Sequence, residues 1–157
     1  MNSPVRPFDF LMPADAHPRL RDFYALWLAQ ASAGLPVFSV FDLHRLSADY
    51  PLLARIGLDE AGETLMWRDV ASTRRWPFKQ PVKDRPLLES VPPPSVKRVV
   101  ATLNQTLTSG VPDYYETTSW MHGGSEISLA RLAVPVLGDA GRELILSWEV
   151  IEPAHIG

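Results

Sequence analysis

The chain has 157 residues, a formal net charge of −3 at pH 7, 46% hydrophobic residues and no cysteine. That is one domain's worth of sequence with enough apolar surface for a sizeable core, and too much for a disordered chain. The missing cysteines exclude disulfides, thiolate catalysis, cysteine-ligated metals and a cysteinyl–flavin photocycle, and the small net charge offers no whole-chain argument for nucleic acid or an anionic membrane surface.

Residues 1–17 carry proline and scattered apolar side chains and read as an irregular N-terminal arm. They lack a basic stretch followed by an apolar one, so no signal peptide is expected. No apolar run is long enough to span a bilayer, and a cytoplasmic, membrane-free protein is the expectation. From Pro18 to Ala33 the spacing predicts a helix, with Asp15 as its cap and Gly34 and Pro36 as its stop. Leu20, Phe23, Tyr24, Trp27 and Ala31 follow helical periodicity. Leu26 and Leu28 widen the stripe beyond one face. Phe23, Leu26, Trp27 and Leu28 are therefore the expected contact of a homodimer, against the plainer reading of a core helix.

A second short helix is expected within Phe38–Ala48. Leu52–Leu58 and Glu63–Val70 alternate as strands around the turn Asp59–Gly62. Ala71–Pro94 is irregular, rich in proline, and basic, with Trp76 and Phe78 in it. Such a stretch is read as a solvated loop rather than a nucleic-acid surface. Ser95–Ser109 is a helix with the stripe Val96, Val99, Val100, Leu103 and Leu107, ended by Gly110 and Pro112. Three strands follow, Tyr114–Met121, Ile127–Val136 and Glu143–Ile151, joined by His122–Ser125 and Gly138–Gly141. In the last strand Leu144, Leu146, Trp148 and Val150 alternate with Ser147 and Glu149, which predicts one covered and one wet face. The expected architecture is α+β: a five-stranded antiparallel sheet with helices on one face and an N-terminal helix, over 18–151, with 152–157 as a tail.

Two strands, a helical segment and three strands is also the element order of a PAS domain. The chain resembles the small proteobacterial PAS-like proteins classed as PAS_5. The similarity rests on Tyr24-Ala25-Leu26-Trp27, on Gly34-Leu35-Pro36, on the acidic start near Asp42, on Trp67-Arg68-Asp69-Val70-Ala71-Ser72, and above all on Ala130-Arg131-Leu132-Ala133-Val134-Pro135-Val136. It implies a sensory or protein-interaction module without a catalytic residue. Arg74–Pro94 departs from the pattern, so ligand identity does not carry over.

The residues agree with an absence of local chemistry. His17, His44, His122 and His155 form no metal-binding spacing, and there is no HExxH, GxSxG, P-loop or GxGxxG. No metal, cofactor or catalytic group is expected. Trp67, Trp120 and Trp148 fall on three different predicted strands, with Trp76 in the crossover. They are either core packing or the walls of an apolar pocket. Arg131 is the one cation in the meander's apolar run. Turned inward, it needs a carboxylate or an anionic ligand; turned outward, it is an ordinary surface group. Trp67, Trp76, Trp120, Arg131 and Trp148 are thus the candidate ligand-binding residues for a small apolar or anionic ligand. The functional expectation is a PAS-like module that binds such a ligand or a signalling partner. The rivals are a small NTF2-like α+β enzyme with an apolar cavity, and a ligand-free dimerisation module.

Overall fold

In the computed structural model the chain runs α1 (Pro18–Gln30), α2 (Leu43–Leu46), β1 (Leu53–Leu58), β2 (Leu65–Val70), α3 (Val96–Ser109), β3 (Asp113–His122), β4 (Ser125–Leu137) and β5 (Arg142–Val150). The structure describes residues 10–31, 34–50, 52–70, 83–91, 93–122, 125–139 and 141–151, without the side chains of 90 and 117–127.

All five strands join one antiparallel sheet in the order β2-β1-β5-β4-β3. Each hairpin pairs sequential neighbours, and β5 closes the sheet by inserting between β4 and β1. The last strand to be made is therefore the central one. Beyond the Leu129↔Val150 pair, β3 and β4 continue as a two-stranded ribbon to His122↔Ser125. At the opposite edge, the Trp67 N–H donates to Arg85 O at 2.9 Å and Asp84 N–H to Trp67 O at 2.7 Å. The end of the crossover thus occupies the backbone groups that an edge strand otherwise exposes.

The expectation of helices on one face alone is wrong. Leu144, Ile145, Leu146, Ser147 and Trp148 are all buried, so β5 has no wet face. Ala54, Ile56, Leu65, Trp67, Leu129, Ala133, Leu144, Leu146 and Trp148 pack with Leu103 and Leu107 of α3. On the other face Leu53, Ala130, Leu132, Val134, Val136 and Ile145 pack with Leu20, Phe23 and Trp27 of α1 and Phe41 and Leu43 next to it. A central strand covered on both sides needs apolar residues at both parities. Ile145, lodged between two leucines, is the residue that breaks the simple alternation.

The helices start and stop for local reasons. The cap of α1 is His17, not Asp15: its Nδ1 accepts the Arg19 N–H at 3.2 Å, and Pro18 supplies a first residue with no N–H to satisfy. Asp42 caps the four-residue α2 by accepting from Arg45 N–H at 3.2 Å. The expected longer helix over Phe38–Ala48 is instead a 3₁₀ turn at Phe38–Val40 followed by α2. α3 ends where Gly110 takes φ 74°, a left-handed conformation that costs glycine nothing. The Arg142 guanidinium then donates to Leu107 O at 3.0 Å and Thr108 O at 2.7 Å. A cation thereby sits on the carbonyl end of the helix, where the helix dipole favours it, and the start of β5 is fixed to the end of α3.

Candidate ligand site under the third helix

Arg131 points inward. It lies on the same side of β4 as Leu129 and Ala133, the α3 side, and is 4% exposed. Its neighbours across the strands are Trp148 on β5 and Tyr115 on β3. The carboxylate that a buried cation requires comes from the chain itself: one terminal nitrogen of Arg131 pairs with Asp113 Oδ2. Asp113 opens β3 immediately after the Val111-Pro112 exit from α3, so the short helix–strand connection places the acid beside the arginine.

The pairing is incomplete. Arg131 Nε is buried and has no hydrogen-bond partner, whereas a guanidinium has five N–H donors to satisfy. A second cation stands nearby. Arg98, in the first turn of α3, lies over the Tyr115 ring with its guanidinium carbon 4.2 Å from the centroid. Burial pulls the Arg131 guanidinium below its ordinary value, Asp113 pulls it back up, and Arg98 adds to the depression. Arginine nevertheless keeps its proton in proteins. Asp113 is a third exposed and Tyr115 38% exposed, so the cluster reaches the surface along the seam between α3 and β3.

The tryptophans divide. Trp67 and Trp148 are buried and meet with ring centroids 6.0 Å apart. Both belong to the α3-side core. Trp120 lies on the β3–β4 ribbon, where its backbone pairs with Ile127. The register sets it five residues along β3 from Tyr115, about 15 Å of strand, so its backbone is well apart from the Trp67–Trp148 contact; its side chain lies outside the described residues, as does all of Trp76. Sequence reasoning grouped Arg131 with the tryptophans and did not single out Arg98 and Tyr115, which the structure brings beside it. The signal for Arg98 was a basic residue in the first turn of a helix, which is too common to single out.

The expected dimer contact also divides. Phe23 and Trp27 are fully buried against their own sheet, and Trp27 Nε1 donates to Pro135 O at 2.8 Å. Leu26 and Leu28 are 42% and 38% exposed. Two residues apart on a helix, they project about 200° from one another and flank the buried stripe on opposite sides. The four residues do not form one face.

Another polar cluster is structural. Glu143 receives Arg55 through Nη2 at 2.6 Å and Nε at 2.8 Å. Gly57 and Gly138 leave room for that carboxylate; a Cβ on Gly57 would lie 2.7 Å from Glu143 Oε2. Arg55 and Glu143, with Arg68, Arg142, Asp59, Glu60 and Asp139, line an open cleft of about 510 Å³ at the hairpin ends. Its three arginines are occupied: Arg55 by Glu143, Arg68 by Leu58 O, Arg142 by the end of α3. Among the described residues no group of three or more histidines or carboxylates could hold a metal, and no helix is long and apolar enough to cross a membrane.

No model of a known protein family matches the chain, and no curated protein matches it.

Proposed function

We propose that the chain is a PAS-like sensory module that works by binding, without chemistry of its own. It takes a small ligand or a signalling partner on the α3 side of its sheet. The observation that carries this reading is the α3 side itself: a helical crossover lies over an antiparallel sheet, and the core beneath it contains a charged residue whose donors are not all used. Cores are built from apolar groups unless a polar group has a task. The strand order β2-β1-β5-β4-β3, with α3 in the crossover between β2 and β3, supports the PAS-like assignment.

The test is native mass spectrometry of the chain purified from its own host, with thermal denaturation before and after dialysis under mild denaturation. A retained small molecule or stoichiometric partner is expected, and its removal lowers Tm by mass action. A chain that runs at its own mass alone and has a Tm unaltered by that treatment would overturn the reading.

A further inference from the structure

We infer that the seam between the first turn of α3 and the start of β3 is a binding site for the carboxylate of a small aromatic or apolar acid. This rests on the binding reading above and names the ligand class. Two observations converge on the seam. Arg131 Nε is buried without a partner. Arg98 stands over Tyr115 on the half-open side of the same cluster.

The charge count selects the ligand. Arg98 and Arg131 contribute two positive charges and Asp113 one negative, which leaves one positive charge at the edge of an apolar core. A monoanion neutralises it, and a phosphate dianion overshoots. The planar fork of a guanidinium matches a carboxylate's two oxygens. Beside the two arginines lie Tyr115 and Trp148, and Val96 and Val99 of α3 pack against the same core. The body of the acid therefore meets aromatic and aliphatic surface while its carboxylate meets the cations.

The probes are benzoate, its neutral analogue benzamide and inorganic phosphate, added to the full chain at constant ionic strength. Tm and tryptophan fluorescence are the readouts. The expected result is a saturable rise in Tm with benzoate and a fluorescence change from the buried Trp148, with neither from benzamide. Arg98→Gln is the informative variant, because Arg98 is half-buried at the surface and its loss leaves the fold standing. It should retain the ligand-free Tm and weaken benzoate about tenfold, the loss of one charge-assisted bond. Benzoate and benzamide acting alike, phosphate binding more tightly than benzoate, or unweakened binding in Arg98→Gln would each overturn the assignment. So would the absence of a saturable shift with any anion, in which case water satisfies Arg131 Nε. If the mass spectrum from the host still shows another ligand or a partner, only the carboxylate site falls; if it shows the chain alone, the binding reading falls with it.

Discussion

The two faces of the sheet are both closed by a helix, but they are closed with different chemistry. Against α1 the packing is aromatic: Phe23 meets Tyr50 edge-on at 5.3 Å, Tyr24 stacks on Trp27 at 6.0 Å, and the one indole donor buried there reaches a backbone carbonyl. Against α3 two tryptophans pack together, but a guanidinium shares their layer with only one carboxylate to answer it. Dispersion and area burial hold the first face, and the polar group left unmet there, the Ser147 hydroxyl, carries no charge. The second carries a desolvated charge, which stabilises a fold only when fully paired. A face that gives up stability in this way is the one proposed for binding, and the contrast shows that burial alone does not distinguish the two faces.

The contrast breaks most sharply at Trp27. Trp27→Ala removes a fully buried indole and its hydrogen bond, and the expected loss is about 3–5 kcal/mol in chemical denaturation. A loss under about 1 kcal/mol would mean that α1 is not the lid of this face.

The buried charge is the next lever. Asp113→Ala strands Arg131 without its carboxylate and should cost about 1–3 kcal/mol. Arg131→Met, which takes the charge away and keeps much of the volume, should cost less than about 1 kcal/mol or stabilise. If the two variants lose equally, the pair is a structural element and not a strained one.

Alkali should act on the α1 face. Tyr24, Tyr50 and Tyr114 all pack there. Burial raises each above the ordinary tyrosine value of 10.0, with Asp22 and Asp49 adding to the effect at Tyr50 and the hydrogen bond to Glu116 adding to it at Tyr114. The unfolded chain therefore loses these protons first, and stability that is complete below pH 10.0 declines as pH rises past it. Tyr114→Phe should blunt that decline in a pH series of Tm values. An identical alkaline slope in the variant would remove Tyr114 from the explanation.

The smallest effect is expected at Ser147, whose hydroxyl is buried on the α1 face with no hydrogen-bond partner. Ser147→Ala relieves that unmet group and should raise stability by up to about 1 kcal/mol. A clear loss would show that the hydroxyl is satisfied by bound water.

Much of the fold was legible in local signals. The helix stop at Gly110, the turn that brings Gly138 to Gly141 and the apolar stripe of α3 each follow from nearest neighbours in sequence, where backbone sterics and periodicity act; the expected turn at 122–125 rests on Gly123 and Gly124, which lie outside the described residues. The strand boundaries agree with the structure to within two residues for the same reason. The cap of α1 was misread because Asp15 and His17 both precede Pro18 and only the backbone path decides which side chain meets the Arg19 N–H.

What the sequence by itself determined was therefore the set of elements, the lack of cysteine chemistry and the presence of one arginine in an apolar run. It could not determine that both sheet faces are covered, because Ile145 and Ser147 read equally well as the outer side of an edge strand until β5 is placed between β1 and β4. Nor could it say which way Arg131 points. That depends on the parity of β4 relative to α3, and on Asp113 arriving beside it from 18 residues away in sequence. Secondary structure follows from interactions a few residues apart, while burial and charge pairing follow from contacts that exist only once the sheet has closed.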